Sequence, residues 1–323
     1  MYISEYDDRA GAIQAPAACG PVDAAPARGG HRVLDTFIDS VSWDEAIARI
    51  VGWARTRESR AVYLCNVHAV VTARRDAGLQ AALEEGDLVA ADGAPVAWRL
   101  RRAGFEGQQR ISGPELMMRA LAAAEVHGLR VLFFGERQAT LDLLRARLLR
   151  DFPALQIVGM ISPPFSDPTP QEARASIDAI NASGAQLVFV ALGCPKQEKW
   201  IAAHRGAIRA TMLGVGAAFA FQAGVVPRSP LWMQRYGLEW LFRLAAEPRR
   251  LWRRYLVTNS VFIATMLREF LAGGISAREA IGARGARRRL LQRRMLAGGI
   301  GRATVAATPR PAAATLGASR VAG

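Results

Sequence analysis

Short β-type runs alternate with longer segments of helical periodicity, and this alternation constrains the fold more than any other feature of the chain. The runs are Ala61–Cys65, Asp87–Ala91, Leu129–Phe134, Leu155–Gly159, Gln186–Leu192 and Ala210–Val215. Between them, Ser42–Arg57, Pro114–His127, Ala139–Arg150 and Pro170–Ser183 repeat apolar residues at helical spacing. Parallel strands need crossover helices that cover both faces of their sheet. The pattern therefore predicts an α/β fold with a Rossmann-like, mostly parallel sheet and helices on both faces. Ser112-Gly113-Pro114-Glu115 has the form of a capping box and predicts a helix start.

The chain has 323 residues, 51 % of them hydrophobic, which excludes a mainly disordered or collagen-like protein. Residues 1–31 are rich in Ala, Pro and Gly, with no apolar run before a cleavage site. They read as a disordered leader and not as a secretory signal. Residues 32–227 are expected to form the Rossmann-like catalytic domain, 228–272 a basic helical appendage, and 273–323 a disordered Arg/Ala-rich tail. Cys19, Cys65 and Cys194 lie far apart, with neither a disulfide framework nor zinc spacing, which points to a reducing compartment. The four histidines are scattered and do not suggest a metal site.

The net charge of +14 is localised. Residues 1–227 carry 24 basic and 24 acidic side chains, whereas residues 228–323 carry 18 arginines against four glutamates. A neutral body with a basic end suits contact with an anionic polymer or surface.

Ligands of such sheets bind beyond the carboxyl ends of the strands. Asn66-Val67-His68, Asp92-Gly93, Gly135-Glu136, Gly193–Glu198 and Gly214-Val215-Gly216 stand there. Glycines let backbone amides approach a phosphate, although the turns of the fold need them too. Asp92 leaves an apolar run at the rim of the sheet, yet Asp-Gly is also a common turn. Asn66 reads equally as an N-cap, and His68 as a structural histidine.

The order Asn66…Asp92-Gly93…Ser112-Gly113…Leu192-Gly193-Cys194-Pro195-Lys196-Gln197-Glu198…Gly214-Val215-Gly216…Glu239-Trp240-Leu241-Phe242-Arg243-Leu244…Glu247-Pro248-Arg249-Arg250…Arg254-Tyr255 resembles the WecG/TagA/CpsF glycosyltransferases over about Val33 to Ala272. The resemblance implies inverting, metal-independent transfer from a UDP-sugar to a sugar on a polyprenyl diphosphate, in exopolysaccharide or cell-surface polysaccharide synthesis. It calls for no cofactor, and the sequence contains no D-x-D metal motif. It implies Asp92 as the catalytic base. It also places Asn66, Gly93, Gly135, Gly193, Pro195, Lys196, Gln197, Glu198, Gly216, Arg243, Arg250 and Arg253 at substrate. Many relatives have threonine where this chain has Leu64, a hydroxyl lost near the acceptor.

On one straight helix Arg243, Arg250 and Arg254 would share a stripe, but Pro248 interrupts it and predicts two short helices. Trp232, Trp240, Phe242, Trp252 and Tyr255 alternate with these arginines, a combination suited to an anionic bilayer surface. Leu256–Ala272 has 17 residues and contains Asn259, Arg268 and Glu269, which is too short and too charged to span. It reads as an interfacial or protein-packed helix. The expected place is the cytoplasmic face of the inner membrane, peripherally bound, and a homo-oligomer is compatible with the sequence. Two rival classes fare worse. A nucleic-acid binder is disfavoured by the neutral body and the lack of a recognition motif. A nicotinamide oxidoreductase is disfavoured by Asn66-Val67-His68 standing where G-x-G-x-x-G should be.

Overall fold

The computed structural model describes residues 28–164 and 168–271. Its strands are β1 (Gly30–Val33), β2 (Thr36–Asp39), β3 (Arg60–Cys65), β4 (Leu88–Ala91), β5 (Arg130–Gly135), β6 (Gln156–Ile161), β7 (Leu187–Ala191) and β8 (Thr211–Gly214). They form one sheet in the order β1-β2-β4-β3-β8-β7-β5-β6, parallel except for the β1–β2 pair. The helices are α1 (Trp43–Arg55), α2 (Val67–Ala73), α3 (Ala77–Glu85), α4 (Ala94–Arg102), α5 (Gly113–Val126) and α6 (Gln138–Asp151), followed by α7 (Pro170–Ala182), α8 (Lys196–His204), α9 (Ala218–Gln222), α10 (Leu231–Arg235), α11 (Glu239–Ala246) and α12 (Pro248–Leu271).

Side chains alternate across each strand, so one sheet feeds two cores. Val62, Phe133, Phe189 and Leu213 pack with Ile50 of α1, Leu116 of α5, Leu144 of α6 and Phe219 of α9. Tyr63, Leu132, Phe134 and Val190 pack on the other face with Val70 of α2, Leu79 of α3, Leu100 of α4 and Ile201 of α8. Each such fully buried side chain contributes roughly 1.5–3 kcal/mol. This two-faced burial is why the strands read as almost unbroken apolar runs.

All six expected runs are strands, and β1–β2 is an addition. Its turn is Leu34-Asp35, with Leu34 itself at φ 54° and no Asn-Gly or Asp-Gly to mark a hairpin. Residues 28–31 of the expected leader are among those described: Arg28 Nε donates to the buried Asp39 at 2.6 Å, and Gly30 and His31 belong to β1. The rest of the expected leader and the whole expected tail lie outside the described residues.

The helix expected after Ser112 is present, but the capping box is not. Ser112 Oγ donates to Glu115 Oε2 at 2.8 Å and bonds no backbone amide. The box would need the amide of Glu115, but the hydroxyl turns to the carboxylate of the same residue, a stronger partner.

Pro248 does break the C-terminal segment, as the first residue of α12, where a missing amide hydrogen costs nothing. The second helix is long, however, at 24 residues. It packs along α2, buries Leu251 and Phe262, and is tied to α4 by Glu269, which accepts from the buried Arg99 at 3.0 Å. The basic segment through Leu271 is part of the same compact unit as the sheet. No described helix is long and apolar enough to cross a membrane.

Candidate active site

The loops leaving β3, β4, β5, β7 and β8, together with α11 and α12, enclose a cleft of about 480 Å³. Leu64 reaches it as an apolar wall. Asn66 caps α2, its Oδ1 accepting from Ala69 N at 3.2 Å, while its Nδ2 donates to Asp92 Oδ2 at 3.3 Å. Asp92 lines the cleft and also a second hollow of about 330 Å³ beside it. Burial raises the Asp92 pKa to about 6; Glu239 adds to the rise, and Arg110, Asn66 and Arg243 oppose it. Asp92 is thus ionised at neutral pH but close to taking a proton.

Gly193, Lys196, Gln197, Glu198 and Gly216 all border the cleft. The Gln197 amide is engaged at both ends: Oε1 accepts from Gly216 N at 3.0 Å, and Nε2 donates to Glu198 Oε1 at 2.8 Å. Gln197 therefore braces the β8 loop against α8. Glu198 is almost fully buried, with the Cys194 thiol hydrogen-bonded to its carboxylate. Burial raises its pKa, against the hydrogen bond from Gln197.

Three expected site residues do not line the cleft, and Gly93 lines only the adjoining hollow. A Cβ on Gly135 would lie 2.4 Å from Ala191 O, so this glycine serves the close approach of β5 to β7, and its neighbour Glu136 faces the cleft. Pro195 follows a cis peptide bond and caps α8 without reaching the cleft. Arg253 is exposed, with its guanidinium over the Trp252 ring at 5.1 Å. It stands two residues beyond the buried Leu251, about 200° round the helix, so α12 turns it outward.

Arg254 occupies the place expected for Arg253, beside Arg243 and Arg250. Arg243 lies over the Phe221 ring at 5.5 Å, and Arg250 pairs with Glu247 at 2.9 Å. Neither Arg243 nor Arg254 has a carboxylate partner among the described residues, and each has a buried, unbonded Nε. Burial lowers the Arg254 pKa.

Sequence pattern gives no role to Arg110, and none to Glu239 beyond its place in the motif; the two pair at 2.8 Å in the wall of the hollow. Arg110 lies in an irregular stretch between α4 and α5, where no periodicity singles it out. Trp240, Tyr255, Phe262 and Ile263 give the hollow an apolar side. His68, at its edge, is pushed down to about 4 by burial, with Arg254 adding to the effect, and is neutral at pH 7. Among the described residues no cluster of His, Cys, Asp or Glu side chains is placed to hold a metal ion.

Residues 31–274 match the family described as "Glycosyl transferase WecG/TagA/CpsF family". Two relatives carry the name "N-acetylglucosaminyldiphosphoundecaprenol N-acetyl-beta-D-mannosaminyltransferase". The protein from Bacillus spizizenii (strain ATCC 23059 / NRRL B-14472 / W23) is 33 % identical over 209 residues, covering 62 % of this chain and 79 % of the relative. The protein from Bacillus subtilis (strain 168) is 30 % identical over 188 residues, covering 58 % and 71 %. The chain belongs to the WecG/TagA/CpsF family and is a glycosyltransferase.

Proposed function

We propose that the enzyme moves a hexose or N-acetylhexosamine from a UDP-sugar onto a sugar carried by a polyprenyl diphosphate, with inversion, in the synthesis of an exopolysaccharide or other cell-surface polysaccharide. The observation that carries this reading is one cleft holding both a carboxylate of pKa about 6 and two arginines with no carboxylate partner among the described residues. Asp92 takes the proton of the acceptor hydroxyl as its oxygen bonds to the anomeric carbon. The bond from that carbon to the UDP oxygen breaks, and its electrons leave with the diphosphate. A base with a pKa near the working pH contributes a factor of about 10²–10⁴.

The charge that develops on UDP is met by Arg243, Arg250 and Arg254, whose planar donors suit diphosphate oxygens. Lys196 and the backbone at Gly193 and Gly216 border the same space. These cations give the reaction its charge stabilisation from the protein, and turnover is expected to survive EDTA. The names of the two relatives support a lipid-linked acceptor.

Residues 228–272 act as a membrane-associating appendage to the catalytic body. Support comes from α12, where Trp252, Leu256, Ile263, Leu267 and Leu271 are exposed along one stripe with Arg249 and Arg253 alongside. Each basic residue held near an anionic bilayer contributes about 1 kcal/mol. The enzyme then works peripherally at the cytoplasmic face of the inner membrane.

The test is a donor screen with purified enzyme, detergent and a synthetic polyprenyl-diphosphate sugar. Transfer from at least one UDP-sugar with an inverted product is expected. Thermal protection by NAD(P)H or oligonucleotide, with none by UDP, would overturn the reading.

A further inference from the structure

The Arg110–Glu239 pair joins the body of the enzyme to its C-terminal helices. Arg110 Nη1 donates to Glu239 Oε2 at 2.8 Å, and both side chains are mostly shielded from water. Asp92 lines the same hollow. One guanidinium therefore lies near two carboxylates, and Glu239 holds it. A guanidinium with a free edge forks readily onto a carboxylate within reach.

We propose that Glu239 is a positioning residue for the base: by engaging Arg110 it keeps that cation from closing on Asp92, so docking of α11 leaves the Asp92 carboxylate free to accept a proton. The proposal rests on Asp92 being the base. It gives the C-terminal segment a second task beside supplying arginines to the cleft.

The charges support this arrangement. Among the charges around Asp92, Arg110 favours its ionised form more strongly than Arg243, and Glu239 opposes both. Arg254 approaches from α12, and His68 from α2 is neutral near pH 7. Cys65, at the end of β3, stays protonated because burial raises its pKa well above the ordinary value. With Glu239 neutralised, Arg110 is the cation free to move onto Asp92.

The experiment is a carboxyl titration of the full chain labelled with 13C-aspartate, the Asp92 resonance being assigned by its loss in Asp92→Asn. Wild type, Glu239→Gln, Arg110→Gln and the double variant form a cycle. Glu239→Gln is expected to lower the Asp92 midpoint by about one pH unit, a roughly tenfold loss of proton affinity. In the Arg110→Gln background the same change should move it by less than about a third of that.

Equal displacement in both backgrounds would make Glu239 a nearby charge only and overturn the proposal, as would no displacement in either. Should Glu239→Gln lose its circular dichroism, Glu239→Asp is read in the same two backgrounds. A smaller displacement that requires Arg110 supports the proposal, and one independent of Arg110 overturns it. Turnover of Asp92→Asn, measured in parallel, separates the two claims. Wild-type turnover there removes Asp92 as base, whereas the titration reports the coupling whatever the turnover.

Discussion

Asn66 holds Asp92 and the start of α2 at once, its Nδ2 3.3 Å from Asp92 Oδ2 and its Oδ1 3.2 Å from Ala69 N. The same amide thus fixes a helix end and orients the carboxylate at the rim of the neighbouring strand.

Separating these two tasks makes a prediction. Asn66→Asp keeps a good N-cap but removes the donor to Asp92 and sets a second carboxyl against it, so it should raise the Asp92 pKa and lose about 10–100-fold in kcat. Asn66→Ala loses the cap as well and should cost about 1 kcal/mol of stability. Thermal melts and steady-state rates on both variants check this.

Asp92→Asn should keep the fold and its UDP affinity and lose about 10²–10⁴ in kcat. In the wild type, the acid limb of kcat/KM should rise through about pH 6. Calorimetric UDP titration and a rate profile from about pH 5 to about pH 8 measure both.

Stability should follow the same group with a definite sign. The folded Asp92 pKa of about 6 lies above the ordinary 3.8, so the folded state binds its proton more tightly than the unfolded chain. The resulting stabilisation is full below about pH 4 and is lost as pH rises through about 6. Asp92→Asn should therefore be more stable than wild type at pH 7–8, by up to about 2 kcal/mol after allowance for the open cleft, and the advantage should vanish in acid. Denaturant melts at pH 4 and pH 7.5 decide the sign.

Arg254→Ala should reduce kcat by about 10²-fold, in line with loss of one donor to a developing oxyanion. Arg253→Ala should leave turnover in detergent near wild type and weaken sedimentation with anionic vesicles. A reversed ranking in detergent would place Arg253, and not Arg254, at the leaving group.

Gln197→Ala frees Gly216 N and removes the hydrogen bond to Glu198, leaving buried polar groups unmatched. A loss of about 1–3 kcal/mol in stability is expected, together with a higher KM for donor. Unchanged stability with a raised KM alone would mean that Gln197 serves substrate and not the loop.

The sheet was legible because burial on both faces leaves strands such as Leu187–Ala191 wholly apolar between amphipathic helices. The β1–β2 hairpin was not, since its strands have four residues each and its turn contains no glycine or asparagine. Asp92 and Asn66 could be placed at the rim from strand ends alone. The choice between Arg253 and Arg254 could not, because the phase of α12 is set by burial of Leu251 and Phe262 against the body. Arg110 acquires its meaning from Glu239, 129 residues away, and no local pattern encodes that meeting.

With 24 residues, α12 is an unbroken rod of about 36 Å, with Arg250 and Arg254 near one end and Leu271 at the other. Its outward stripe and its inward arginines are locked in angular phase. One residue inserted between Arg254 and Ile263 would swing the two ends about 100° out of step. The stretch should therefore tolerate exchanges of side chain far better than changes of length, and on the proposed peripheral reading it would set the height of the cleft above the lipid as a fixed dimension.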